Sequence, residues 1–168
     1  MAFLSSGFAA EPVKRLIIIG DSLTEGLGVA HEEAYPFLLQ SKIEAAGKKW
    51  AVINAGISGS TSASASSRVQ WQLKQKPDLI LLALGANDGL RGLPLPALRD
   101  NLAAMVELAQ QHKVKVLLLG IELPVNYGPQ YRDGLRAIYA DLARDRHTAL
   151  VPFLLDGIAL DPALMQED

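Results

Sequence analysis

Three polar segments of this chain each follow an apolar run of the kind that forms a buried strand. The segments are Asp21-Ser22, Asn54 with Gly56 and Gly59, and Asn87-Asp88. Because the carboxyl ends of parallel strands meet at one edge of a sheet, we expect the three segments to lie close together there. The pattern therefore predicts one constellation of polar residues rather than an isolated short motif.

Ser22 is the residue of this set that can act as a nucleophile. A serine hydroxyl needs a base to accept its proton, and an attacked ester carbonyl needs hydrogen-bond donors around the oxyanion that forms. The backbone N–H of Gly59, the side-chain amide of Asn87 and the backbone N–H of Ser22 itself are candidate donors. These residue types indicate acyl transfer, provided that a base reaches Ser22.

Apolar runs and helical periodicities alternate along the whole chain. The predicted strands are Arg15–Gly20, Trp50–Asn54, Pro77–Gly85, Lys115–Ile121 and a short one that begins at Leu150. The predicted helices are Ala34–Ala46, Ser60–Leu73, Pro96–Gln111 and Gln130–Arg144, with a long loop over Asn87–Pro96. This alternation predicts an α/β fold with a five-stranded parallel sheet between helices, a three-layer sandwich, in a single domain over residues 15–168.

Several sequence blocks resemble those of the SGNH, or GDSL, hydrolase family. Gly20-Asp-Ser-Leu23 resembles the first block, Ile53–Thr61 the second and Leu84–Asp88 the third, in the family's order. Leu90–Gly92 and Leu123–Gly128 resemble the bacterial branch of multifunctional acyl-CoA thioesterase/lysophospholipase and arylesterase enzymes. The resemblance implies a flavodoxin-like topology, Ser22 as the nucleophile, and Ser22, Gly59 and Asn87 as donors of the oxyanion hole.

The family closes its catalytic triad with an Asp-x-x-His block near the C-terminus. Pro162–Asp168 resembles the approach to that block, so the resemblance makes Asp168 the triad aspartate and puts the histidine three residues beyond it. We therefore expect a truncated chain that lacks the triad histidine and the final helix. Such a chain would hydrolyse esters weakly and would associate through the apolar surface that the missing helix exposes.

The sequence contains three histidines, and none belongs to a family block. His31 lies in the loop before the first predicted long helix, and His112 lies at a helix end. His147 precedes the fifth strand and so falls at the opposite edge of the sheet from Ser22. We interpret all three as surface or capping residues.

The remaining polar and apolar residues of the predicted site have simpler interpretations. Asp21 and Asp88 are interpreted as caps of backbone N–H groups rather than as bases. Arg91 either pairs with Asp88 or lines the cleft. Leu90, Arg91 and Tyr127 are the candidate substrate-binding residues, since a fatty-acyl chain needs an apolar lining.

Composition argues against several classes of function. The formal net charge is −2 with no Lys/Arg-rich run, which argues against a nucleic-acid partner. The absence of cysteine excludes disulfides and thiolate catalysis, and no cluster of side chains has metal-ligand spacing, so we expect neither a metal nor a cofactor. No apolar segment is long enough to predict an integral membrane segment.

Residues 1–14 are interpreted as a disordered start or as the remnant of an export signal, because small residues precede Glu11. This interpretation predicts a periplasmic or secreted protein, with the cytoplasm as the alternative.

We expect an enzyme: a serine hydrolase of small-molecule acyl esters or thioesters, of arylesterase, thioesterase or lysophospholipase type, that works through an acyl-enzyme. One alternative is a non-catalytic flavodoxin-like module that binds a small molecule at the same edge of the sheet. The other is a carbohydrate O-acetyl esterase. Labelling of Ser22 by a fluorophosphonate tests the first alternative, and the acyl-chain-length profile tests the second.

Overall fold

A computed structural model describes residues 12–159 and 162–164 of the chain. One parallel sheet has the strand order β2-β1-β3-β4-β5, with β1 Lys14–Gly20, β2 Trp50–Gly56, β3 Leu79–Ala83, β4 Lys115–Leu119 and β5 Ala149–Val151. The helices are α1 Ser22–Glu25, α2 Tyr35–Ala45, α3 Ala65–Leu73, α4 Ala86–Leu90, α5 Leu95–Gln111 and α6 Pro129–Asp145. Short 3₁₀ helices cover His31–Glu33, Ser62–Ser64, Val125–Tyr127 and Pro162–Leu164. The predicted α/β architecture with a five-stranded parallel sheet is confirmed.

Strand β1 lies inside the sheet, between β2 and β3, and its side chains are apolar on both faces. Leu16 and Ile18 pack on one side of the sheet, and Ile17 and Ile19 pack on the other; all four are at most 4% exposed. Such a run without polar alternation is typical of a parallel strand that helices cover on both sides. The first strand begins at Lys14, one residue before the predicted boundary.

The two faces of the sheet carry helical layers of unequal size. On one face α2 contributes Tyr35, Leu39 and Ile43 to a small cluster. On the other face α3, α5 and α6 cover the larger cluster, with residues such as Leu102 and Leu135 fully buried. Helices α5 and α6 repeat their apolar residues at helical spacing, which is why the sequence predicted them within a residue or two.

The strand register brings the ends of three strands level. Gly20 of β1 lies opposite both Gly56 of β2 and Ala83 of β3. The chain moves outward from β1 to β2 and then returns to place β3 on the other side of β1, so the strand order reverses between β1 and β3. In open α/β sheets, ligands bind in the crevice outside the carboxyl ends of the strands at such a reversal.

Two segments that the sequence predicted as turn or loop are short helices. Ser22 begins α1, and the predicted loop Asn87–Pro96 contains most of α4. Asn, Asp and Gly have weak helix propensity, so the local sequence of α4 resembles a turn. Tertiary packing decides the outcome: Gly85 redirects the chain with φ +121°, and a Cβ on Gly89 would lie 2.7 Å from a methyl group of Leu135.

Some predictions concern residues outside the described ranges. They include residues 1–11 of the predicted N-terminal segment 1–14 and the predicted triad aspartate, Asp168. Among the residues that are described, no helix combines the length and the apolar character needed to cross a membrane.

Candidate active site

Ser22 is the first residue of α1, a single helical turn at the carboxyl end of β1. Asp21 precedes it as the N-cap, and the Asp21 carboxylate accepts a hydrogen bond from the Leu23 N–H over 3.1 Å. Gly26 ends the helix with φ +89°, and its N–H donates to the Ser22 carbonyl over 3.0 Å. The turn that carries Ser22 is therefore fixed at both ends.

Helix α1 also packs directly against the end of its own strand. A Cβ on Gly20 would lie 1.8 Å from Oγ1 of Thr24, so only glycine fits there. Thr24 is fully buried, and its Oγ1 lies 2.9 Å from the hydroxyl of Tyr35 on α2. Burial raises the pKa of Tyr35 to about 12, so this hydroxyl stays protonated at neutral pH.

The carboxyl end of β2, which extends two residues past the predicted boundary at Asn54, is joined to α1 by hydrogen bonds and by close backbone contact. The Asn54 side-chain amide donates to the Thr24 carbonyl over 2.8 Å, and its oxygen accepts from the Gly56 N–H over 2.9 Å. A Cβ on Gly56 would lie 2.2 Å from the backbone nitrogen of Glu25. The first two predicted segments therefore form one unit.

Glu25 extends this connection into the loop that carries Gly59. Its carboxylate accepts hydrogen bonds from the Ser58 N–H, over 2.7 Å, and from the Ser58 hydroxyl. These bonds favour the ionised carboxylate and lower the pKa of Glu25. The charged acid thus holds the start of the loop against α1.

Gly59 and Asn87 are brought together by hydrogen bonds between their own segments. The Asn87 Nδ2 donates to the Ser60 carbonyl over 3.1 Å. The Arg91 Nη2 donates to the Gly59 carbonyl over 3.1 Å, and it lies 3.5 Å from the Asn87 Oδ1. Gly59 has φ +73°, a conformation that suits glycine. Arg91 thus contacts the loop and Asn87, whereas the sequence analysis left it between Asp88 and the cleft.

Asp88 has a structural role beneath this loop, as the sequence analysis predicted. It is 4% exposed, and its two carboxylate oxygens accept from Ser62, one from the N–H over 2.8 Å and one from the hydroxyl over 2.6 Å. Asn101 of α5 donates to the Ser62 hydroxyl oxygen over 2.9 Å. The bonds satisfy the buried acid and pin the end of the loop to α4.

Asp21 is buried close to the positive charge of Arg68 on α3. The Arg68 Nη2 donates to the Gly20 carbonyl over 2.9 Å and also to the Ala55 carbonyl. Within the described residues, Asp21 Oδ2 and Arg68 Nη1 are buried without a hydrogen-bond partner. Burial raises the pKa of Asp21, although the Leu23 N–H and the Arg68 charge oppose the shift. The acid that feels the Arg68 charge is thus the residue immediately before Ser22 in the chain.

Three tyrosines of the 3₁₀ helix Val125–Tyr127 and of α6 hold the two ends of α4. The Tyr127 hydroxyl donates to the Leu90 carbonyl over 2.9 Å, and the Tyr131 hydroxyl donates to the Leu93 carbonyl over 2.7 Å. The Tyr139 hydroxyl donates to the Leu84 carbonyl over 2.7 Å. Leu90 itself is 51% exposed, so an apolar side chain stands at the surface beside the predicted cleft.

An apolar groove of about 230 Å³ also borders Ser22. It runs between α1, the start of α2 and the turn near Leu154 and Ile158. Leu23 and Val29 contribute to its wall and are about 40% exposed. Sequence reasoning missed this groove because residues from distant parts of the chain form it.

The three histidines lie in surroundings that differ from one another. The His31 ring packs edge-on against Phe37, with 5.5 Å between ring centroids. The His112 Nδ1 lies 2.9 Å from the Leu108 carbonyl at the end of α5, and His147 has φ +51° between α6 and β5. Among the described residues, none of the three forms a hydrogen bond with Ser22. Asp168 lies outside the described ranges.

Sequence reasoning did not identify three residues that form hydrogen bonds around the predicted site, Arg68, Ser62 and Asn101. Arg68 donates to the Gly20 carbonyl at the end of β1, Ser62 donates to Asp88, and Asn101 in turn donates to the Ser62 hydroxyl oxygen. The sequence offered one signal for Arg68: it stands next to the apolar Val69 in the predicted helix Ser60–Leu73, and Val69 proves to be buried. These three bonds join residues 26 to 48 positions apart in the chain, and the bond from Arg68 to the Ala55 carbonyl joins residues 13 apart.

Comparison with known proteins gives consistent matches over nearly the whole chain. The model of a family described as "GDSL-like Lipase/Acylhydrolase family" matches residues 18–168. "Esterase TesA" of Pseudomonas aeruginosa is 42% identical over 91% of this chain and 77% of its own length. "Thioesterase 1/protease 1/lysophospholipase L1" of Escherichia coli is 37% identical over 96% of this chain and 76% of its own length. A crystal structure of TesA matches with a TM-score of 0.90 over 92% of this chain and 87% of that one.

Proposed function

The chain belongs to the family of GDSL-like lipases and acylhydrolases and is therefore a carboxylic ester hydrolase, and we propose that Ser22 is its nucleophile. In this proposal Ser22 attacks an acyl ester or thioester and forms an acyl-enzyme, which water then hydrolyses. The backbone N–H groups of Ser22 and Gly59 and the Asn87 side-chain amide stabilise the oxyanion.

The observation that carries the proposal is the network that joins the three segments. Gly20, Gly56 and Ala83 lie level in the sheet, so the residues that follow them emerge at one edge. Asn87 then bonds to the Gly59 loop through Ser60, and that loop bonds to α1 through Glu25. Donors that are fixed before substrate arrives cost little reorganisation in the transition state.

The chemical steps follow from these positions. The Ser22 Oγ bonds to the carbonyl carbon, its proton passes to a base, and the carbonyl oxygen becomes the oxyanion. The Asn87 Nδ2 has two protons, so it can keep the Ser60 carbonyl and still donate to the oxyanion. Collapse of the intermediate expels the alcohol or thiol, which takes the proton that the base accepted from Ser22. Water then attacks the acyl-enzyme in the same way, which releases the carboxylic acid and restores the Ser22 hydroxyl. We propose Asp168 as the carboxylate that orients the base, and we assign that base to none of His31, His112 and His147.

We propose that the acyl chain lies along the apolar end of α4. Leu90 is half exposed there, and Tyr127 holds its carbonyl in place. The groove beside Leu23 and Val29 offers a second apolar surface for the other arm of the ester. Two apolar surfaces favour an acyl ester or thioester with a hydrophobic chain over a carbohydrate acetate.

The nucleophile is tested with Ser22→Ala and a matched control. Hydrolysis of p-nitrophenyl butyrate should fall in Ser22→Ala to the level that substrate binding and the oxyanion hole leave, because no acyl-enzyme can form without the Ser22 hydroxyl. A fluorophosphonate should label the unaltered protein and fail to label the variant. Ser41→Ala, an exposed serine on α2, should change neither result. Equal labelling of Ser22→Ala would refute the proposal.

The acyl surface is tested with Leu90→Ser, and Leu38→Ser is the control because Leu38 of α2 is 46% exposed, close to the 51% of Leu90. We expect kcat/KM for p-nitrophenyl octanoate to fall about tenfold relative to the acetate in Leu90→Ser, since burial of a few methylene groups against leucine is lost. Leu38→Ser should keep the original ratio. If the octanoate-to-acetate ratio of kcat/KM is unchanged in Leu90→Ser, the acyl chain of the substrate does not lie along Leu90. Activity confined to acetyl esters would favour the carbohydrate O-acetyl esterase.

We also propose that the protein acts in the periplasm or outside the cell. The small residues before Glu11 support this location. N-terminal sequencing of the protein from fractionated cells tests it, and a cytoplasmic protein that retains Met1 would contradict it.

A further inference from the structure

We propose that Arg91 is a positioning residue of the oxyanion hole, whose guanidinium orients both Gly59 and the amide of Asn87. This inference rests on the proposed function, because it concerns the donors that stabilise the oxyanion there. It differs from the sequence-based interpretation of Arg91 as a residue that binds substrate.

Arg91 lies one helical turn after Asn87, at the C-cap of α4. Its Nη2 is 3.1 Å from the Gly59 carbonyl and 3.5 Å from the Asn87 Oδ1. One nitrogen thus joins a residue on its own helix to a residue 32 positions earlier in the chain. The guanidinium is solvent-exposed, so these contacts do not form part of the hydrophobic core.

The contact with Asn87 fixes which face of the amide points into the site. Arginine has hydrogen-bond donors and no acceptor, so the Asn87 atom that faces it must be the oxygen. The Nδ2 is then held on the opposite side, where it already donates to the Ser60 carbonyl. An amide turned by 180° would present oxygen to the oxyanion and repel it. Arg91 and Ser60 therefore act together against that orientation.

The contact with Gly59 restrains the other donor. Gly59 has φ +73° and no side chain to limit rotation of its peptide groups. Arg91 holds the Gly59 carbonyl and thereby restrains the backbone on which the Gly59 N–H depends. A single side chain thus supports both donors outside α1.

A positioning role and a substrate-binding role predict different kinetics. Loss of a residue that only binds substrate raises KM and leaves kcat unchanged. Loss of a residue that orients oxyanion donors lowers kcat with substrates of every chain length, because the donors act mainly in the transition state.

The kinetic test compares Arg91→Met and Arg91→Lys with Arg136→Met, an exposed arginine on α6. In Arg91→Met, kcat for both acetate and octanoate esters should fall roughly 10- to 100-fold, a smaller loss than removal of a whole oxyanion donor. KM should change by less than about threefold. Arg91→Lys should be intermediate, because an ammonium lacks the rigid fork of donors. Arg136→Met should behave like the unaltered protein. A rise in KM with unchanged kcat would overturn the proposal.

A double-mutant cycle with Asn87→Ala and an NMR spectrum of the Asn87 amide test whether Arg91 acts through Asn87. The Arg91→Met substitution should cost much less in the Asn87→Ala background, because part of its effect passes through that amide. The Asn87 side-chain amide should give one sharp pair of NMR resonances in the unaltered protein and a broadened or doubled pair in Arg91→Met. Identical spectra or additive losses would refute the role. The spectrum needs no turnover, so it shows whether Arg91 orients the Asn87 amide even where Ser22→Ala shows the proposed nucleophile to be wrong, and the two failures are told apart.

Discussion

Removal of the Ser62 hydroxyl tests whether Asp88 is a structural acid that holds the Gly59 loop. Asp88 is buried, and its carboxylate accepts two hydrogen bonds from Ser62, one from the backbone N–H and one from the hydroxyl. Ser62→Ala deletes the O–H donor at 2.6 Å and leaves the N–H donor at 2.8 Å. The variant also removes the acceptor of the Asn101 amide.

The expected loss follows from the charge and the burial. A hydrogen bond to a charged group contributes about 1.5–3 kcal/mol to stability. Ser62 is 1% exposed, so water does not easily replace the lost donor. Asn101 is only half-buried, and its freed amide can be hydrated at little cost. We therefore expect Ser62→Ala to lower the free energy of unfolding by about 2 kcal/mol, which corresponds to about 4–8 °C in Tm for a chain of this size.

Urea unfolding followed by tryptophan fluorescence and by circular dichroism measures the change. The matched control is Ser67→Ala, which removes the same hydroxyl from an exposed position on α3. The control should change the free energy of unfolding by less than about 0.5 kcal/mol. Equal effects of the two substitutions would refute the structural role of Asp88. A lower kcat in Ser62→Ala would show that the loop also supports catalysis.

Two further predictions concern the packing of α1 and the charge behind it. Gly56→Ala should lower the free energy of unfolding by about 3 kcal/mol, because the new Cβ would lie 2.2 Å from the Glu25 backbone nitrogen. The control Gly47→Ala has open space around its Cβ and only the cost of φ +67°, so it should lower the free energy of unfolding by about 1 kcal/mol. Equal losses in urea unfolding would contradict the contact between Gly56 and Glu25. Burial raises the pKa of Asp21 above 3.8, so the folded state binds the Asp21 carboxyl proton more tightly than the unfolded chain does. Protonated Asp21 therefore contributes to the free energy of unfolding at acidic pH, and this contribution is lost as pH rises through the folded pKa. Asp21→Asn keeps the capping oxygen and should be more stable than the unaltered protein at neutral pH, with the difference vanishing at acidic pH below the unfolded pKa; a difference that does not vary with pH in urea titrations would refute this.

Much of the fold was predictable because its signals are local. The run Leu16–Ile19 has no polar alternation, and such a run is stable only between two apolar layers. Helices α5 and α6 carry apolar residues at helical spacing. Local sequence failed at α4, where Asn, Asp and Gly predicted a loop and packing of Gly89 against Leu135 stabilises a helix.

The sequence by itself determined which residues can do chemistry and the order in which they occur. Ser22, Gly59 and Asn87 were predicted because each follows an apolar strand, and parallel strands bring such residues to one edge. Hydrogen-bond partners were beyond prediction, because side-chain contacts between distant segments leave no periodic pattern. Only the tertiary structure decided that Arg91 contacts Gly59 and Asn87. It likewise decided that Ser62 donates hydrogen bonds to Asp88 and that the charge of Arg68 acts on Asp21. Those contacts depend on the strand register and on helix packing, which the whole chain fixes together.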